Sequence, residues 1–189
     1  MNKLTGQVSD EFRYNGEVFA LVGINGEGFY TPADFGMRTT MATTACWRGY
    51  QMFYDCVDGE LILDAIFANP RELVSVNGIE PQKPENSFMF KYVYENIGLK
   101  TKFSGTILLG KDFIQEMYVH MGFQSPESYM TVIELEIKNG DILRESDLSA
   151  KMAERRNTGR NKPTHPDSFD DDEVRDWIED RFSQDYDSD

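Results

Sequence analysis

The chain has 189 residues, 33 of them acidic against 19 basic, for a net charge of −14. That balance repels polyanions and makes general nucleic-acid binding unfavourable. Two cysteines are too few for a disulfide framework, and no apolar run approaches the roughly 18 residues of a membrane span.

Length alone suggests one domain with an appendage, large enough to bury a core without staples. The start, Met1 to Phe12, is polar with no apolar leader core, which predicts a cytoplasmic setting where Cys46 and Cys56 stay reduced. Five Asx-Gly pairs punctuate the first 140 residues: Asn15-Gly16, Asn25-Gly26, Asp58-Gly59, Asn77-Gly78 and Asn139-Gly140. Such pairs suit the two positive φ angles of a type I′ turn, so repeated antiparallel hairpins are expected.

Phe12–Tyr14 and Glu17–Val22 read as the first hairpin. The segment from Gly23 to Thr44, rich in Gly and Pro, reads as a long loop. After it, Cys46-Trp47-Arg48-Gly49-Tyr50 gathers an arginine between two aromatics. Such a grouping either clamps a carboxylate or phosphate beside a stacked ring, or is a core aromatic with an arginine paired to a nearby acid.

Tyr50–Val57 and Glu60–Ile66 form the clearest hairpin, and Phe88, Phe90, Tyr92 and Tyr94 share one strand face suited to core packing. Phe103–Leu109 follows as a strand. Lys111–Met121 carries Phe113, Ile114, Met117, Tyr118 and Met121 at 3 and 4 spacing before Gly122, which predicts the one helix of the body.

Thr131–Leu143 makes a last hairpin in which Ile133, Leu135 and Ile137 face the core, so Glu134 and Glu136 leave the opposite face about 7 Å apart. A same-face Glu-x-Glu resembles the catalytic pair of Arg-specific ADP-ribosyltransferases. Arg48 and Thr43-Thr44 are loose counterparts of that family's arginine and Ser-Thr-Ser strand, which itself is missing. The plainer reading is two surface glutamates beside Lys138.

Residues 1–149 carry 12 Lys+Arg against 21 Asp+Glu, a net of −9, and residues 150–189 carry 7 against 12, a net of −5. Residues 150–167 read as a basic flexible linker. Residues 168–189 read as an acidic amphipathic helix and tail, capped by Ser168, with Val174, Trp177, Ile178 and Phe182 on one stripe. That stripe fits either a docking surface on the chain's own body or a groove on a partner.

His120 and His165 have no ligand spacing with the cysteines, and no catalytic triad, phosphate loop or dinucleotide fingerprint is present. No metal or cofactor is expected. The expected fold is mainly β (α+β), an antiparallel hairpin-rich twisted sheet or partly open barrel with one packed helix, plus the C-terminal amphipathic helix on its charged tether.

The expected function is binding rather than catalysis: an acidic intracellular interaction or inhibitor module, of the immunity-protein or charge-mimic kind. Its partner would be a protein, a basic one suiting the charge, with Val174, Trp177, Ile178 and Phe182 as contacts. The alternative is a ligand pocket or enzyme with Trp47, Arg48, Tyr50, Glu134 and Glu136 at its mouth. It requires Arg48 and Glu136 to open into one concavity.

Overall fold

A computed structural model describes residues 6–120, 122–158 and 184. Among the described residues there are nine strands: β1 (Glu11–Tyr14), β2 (Glu17–Glu27), β3 (Tyr50–Val57), β4 (Glu60–Ala68), β5 (Tyr92–Tyr94), β6 (Leu99–Lys100), β7 (Ser104–Phe113), β8 (Tyr129–Lys138) and β9 (Asp141–Asp147). An α-helix, α1 (Ser149–Asn157), follows them.

The sheet runs β3-β1-β2-β7-β8-β9-β4, and pairing of β3 with β4 closes it into a seven-stranded barrel. β5 pairs with the end of β4 at Ile66–Ala68, and β6 pairs nearer its start at Ile62–Leu63. All pairs are antiparallel except β1 with β3. The mainly antiparallel fold expected from the hairpin signals is therefore present, and the barrel is closed.

Closure depends on two of the Asx-Gly turns. β4 meets β9 at the single register pair Glu60–Asp141. There Leu61 N–H donates to the Gly140 carbonyl (2.8 Å) and Ile142 N–H to that of Gly59 (2.7 Å). Lys100 Nζ lies 2.7 Å from both Glu60 and Asp141, which draws the two strand starts together.

Four of the five pairs adopt the expected positive angles. The Asx φ values are 50° at Asn15, 51° at Asp58, 48° at Asn77 and 50° at Asn139. Asn25-Gly26 does not turn; it lies inside β2, which continues to Glu27, so the loop expected from Gly23 begins only after that strand. The reason is a close approach. Gly26 pairs with Gly105 of β7, and a Cβ on Gly105 would come within 2.2 Å of the Asn25 carbonyl oxygen.

The helix expected over 111–121 is not formed. β7 runs through Phe113, which pairs with Tyr129 of β8, and Ile114 N–H donates to the Ser128 carbonyl at 2.8 Å. Gln115–Met117 makes only a 3-10 turn. Ladder pairing outweighs the 3 and 4 spacing, and Phe113 uses its ring against Tyr118 and Tyr129 instead.

The helix comes later, in the first half of the segment expected to be a flexible basic linker. α1 packs on β8 through Met152, 2% exposed, in a small cluster with Val22, Leu108, Tyr129 and Val132. Its basic residues grip the body. Arg156 Nη1 donates to the carbonyls of Glu127 and Tyr129, both at 2.9 Å, and Arg155 pairs with Glu127 at 3.0 Å. The amphipathic helix read over 168–182 lies outside the described residues.

Aromatic rings occupy the barrel interior. Phe12 stacks on Tyr54 with centroids 4.8 Å apart, and Phe29 meets Tyr54 and Phe103 edge-on at 4.8 and 4.6 Å. Leu61, Leu63, Ile107, Leu109 and Leu135 are fully buried in the same cluster. At ~25 cal/mol per Å2 of apolar surface, such residues supply the main driving force for folding.

Candidate functional site

Arg48 precedes β3 and turns back onto the N-terminal segment. Nη1 and Nη2 both donate to the Asp10 carboxylate, Nη1 at 3.2 Å, and Nη2 also donates to the Val8 carbonyl at 3.2 Å. The guanidinium lies 4.6 Å from the Tyr50 ring centroid and 5.9 Å from that of Phe123. Burial pulls its pKa down, but the Asp10 charge and hydrogen bonds more than offset this and raise it.

Asp10, 6% exposed, also accepts the Met52 amide at 2.8 Å. Of the two readings open for the Trp-Arg-Gly-Tyr sequence, the structure shows the arginine paired to an acid of the chain itself, Asp10 rather than a nearer one, with the Tyr50 and Phe123 rings beside it. Trp47 beside it is 42% exposed.

Glu134 and Glu136 leave one face of β8, with Leu135 buried between them. Glu136 pairs with Arg144 of β9 at 3.2 Å. β8 is separated from β3 by β9 and β4 one way round the barrel and by β7, β2 and β1 the other. The shorter way is three strand spacings, or about 14 Å along the wall. Closure thus sends Arg48 and the glutamates to different walls, and the structure does not bring the five pocket residues together.

A feature that the sequence pattern concealed lies at the far end of β4. Asn69, 4% exposed, ties three segments together. Its amide donates to the Gly49 carbonyl (2.9 Å), and its carbonyl accepts the Thr40 amide (2.9 Å). Nδ2 donates to Met89 O at 3.2 Å and Oδ1 accepts Lys91 N–H at 2.7 Å. Gly49 is required here, since a Cβ would lie 1.9 Å from the Thr40 carbonyl oxygen.

The result is an open depression of about 570 Å3 floored by Asn69 and bordered by Met41, Lys83, Phe88, Lys91 and Tyr92. Phe88 is 91% exposed and Met41 61% exposed. Ser87 Oγ accepts the Phe90 amide at 2.9 Å, which fixes the turn that presents Phe88.

The expected aromatic row over 88–94 therefore divides. Phe90 and Tyr94 are buried and only Tyr92–Tyr94 is strand. The available signal was Pro84-Glu85-Asn86-Ser87, turn-forming residues that precede Phe88 and argue against extending the strand back to it.

Both cysteines are free thiols. Burial pushes Cys46 up, and it pushes Cys56 up to about 12, so neither is a ready thiolate nucleophile. Among the described residues no three His, Cys, Asp or Glu side chains gather as a metal site, and no helix is long and apolar enough to cross a membrane.

Val174, Trp177, Ile178 and Phe182 lie outside the described residues. Gln184, just beyond them in the chain, is described and contacts β2, where Ile24 N–H donates to its carbonyl at 2.9 Å. No family model matches the chain, and neither a curated protein nor a solved structure matches it.

Proposed function

We propose that this chain is an acidic protein-binding module, of the immunity-protein or charge-mimic kind, that acts by occupying a partner rather than by catalysis. The observation that carries this reading is Phe88. A phenylalanine 91% exposed, on a turn pinned by Ser87 and Asn69, places a large apolar side chain in water at the rim of a depression. Exposed apolar groups with polar surroundings mark interaction surfaces, and aromatics are frequent anchors of binding energy.

Met41 extends the apolar rim, and the net charge of −14 supplies steering toward a basic partner. The sequence-read stripe Val174, Trp177, Ile178 and Phe182 is the proposed second contact. A cytoplasmic setting, suggested by the free cysteines, belongs to the same proposal.

The test is affinity capture from a lysate of the cells that make the protein, with wild type, Phe88→Ala and Trp177→Ala as baits. A specific protein retained by wild type at low salt, reduced at high salt and lost with Phe88→Ala supports the reading. Equal retention by all three baits at every salt concentration refutes it.

A further inference from the structure

β2 pairs with β1 only over its first four residues, Glu17–Ala20, and with β7 from Ala20 to Glu27. Its register with β1 runs from Tyr14–Glu17 to Glu11–Ala20 and stops. One more bond joins the segments, from Leu21 N–H to the Asp10 carbonyl at 2.8 Å. Beyond it the N-terminal segment is held by Arg48 through Asp10 and Val8, and Val8 N–H donates to Ala45 O at 2.8 Å. From Leu21 onward, the edge of β2 that faces away from β7 has lost its neighbour strand, and a bulge at Leu21–Gly23 distorts it further.

Open strand edges present unpaired amides and carbonyls to any passing backbone. This one is occupied by a residue from the other end of the chain. Ile24 N–H donates to the Gln184 carbonyl (2.9 Å), and Gln184 Nε2 donates to the Leu21 carbonyl. The same nitrogen lies 3.5 Å from Ser9 Oγ. One glutamine thus answers a donor and an acceptor on either side of the bulge, as an added strand would, with its carboxamide standing in for the second backbone group.

We propose that the free edge of β2 at Leu21–Ile24 is a docking site for the chain's own C-terminal segment, with Gln184 as its latch. The fit is chemical. A side chain that donates and a backbone carbonyl that accepts are both needed, and a carboxylate at 184 would turn two acceptors toward the Leu21 carbonyl. In sequence the latch follows the apolar stripe, six residues after Ile178. The latch stands whether or not the proposed partner exists.

The test is residue-resolved amide hydrogen exchange on the full chain, comparing wild type with Gln184→Ala and Gln184→Glu. Loss of the side-chain bonds is expected to speed exchange at Ile24 by about tenfold or more, while Phe19 and Leu109 within the ladders keep their protection. Unchanged protection at Ile24 in both variants would overturn the proposal. So would an equal rise at Ile24, Phe19 and Leu109, because that pattern reports general loosening and not a released latch.

Discussion

Arg48 and Asp10, far apart in sequence, form a two-pronged ion pair whose carboxylate also caps the Met52 amide, so one contact ties the N-terminal segment to the start of β3. The side chains are mostly buried, at 23% and 9% exposure. Removing one partner of such a pair strands the other charge.

Asp10→Ala should therefore cost about 3 kcal/mol of stability, read by urea unfolding. Arg48→Met should cost less, because Asp10 keeps the Met52 amide. The double variant should be more stable than the sum of the two singles predicts. Additivity of the two costs would show that the pair is not coupled.

The glycines separate into two kinds. Gly105→Ala drives a methyl into the backbone of Asn25 and should destabilise by about 3 kcal/mol or more. Gly16→Ala meets no atom within 4 Å and suffers only its φ of 78°, for about 1 kcal/mol. Thermal unfolding of the two variants side by side checks the ranking.

This contrast also shows what the sequence made legible. Asn15-Gly16 and Asn25-Gly26 look alike as dipeptides. The first turns because its own φ angles decide the matter; the second stays extended because Gly105, on a strand far along the chain, lies against it. The 3 and 4 spacing of Phe113 to Met121 misled in the same way, since the ladder partner Tyr129 is not local. For Arg48 the sequence left open a ligand clamp or a pairing with an acid of the chain; the structure shows the pairing, with Asp10, which nothing near Arg48 in sequence identified.

Glu11 offers a pH signature. Burial raises its pKa, the Gln51 hydrogen bond opposes this, and the Asp10 charge adds to it. A carboxyl whose folded pKa lies above its unfolded value binds its proton more tightly when folded. Stability is therefore highest below the unfolded pKa and falls as pH rises through the folded one. Glu11→Gln should flatten this fall, leaving the protein more stable than wild type at neutral pH and no more stable in acid.

Tyr14 gives a second window at the alkaline end. Its hydroxyl donates to Glu145 at 2.5 Å, and burial together with that bond pushes its pKa up to about 12 from an ordinary value of 10.0. The folded state therefore retains the phenolic proton, and the stability this supplies is present below pH 10 and lost as pH climbs toward 12. Tyr14→Phe should cost about 1 kcal/mol at neutral pH and abolish that alkaline loss, measured by urea unfolding across the range.

Phe88→Ala should leave stability within about 0.5 kcal/mol of wild type, since the ring contributes little to the core. Its effect should fall on binding instead. The most direct measurement of the central claim is the association and dissociation of the captured partner with wild type and Phe88→Ala across a salt series. The account predicts association that slows steeply as salt rises and a complex that dissociates much faster once the ring is removed. Association indifferent to salt, together with unchanged dissociation for Phe88→Ala, would contradict it.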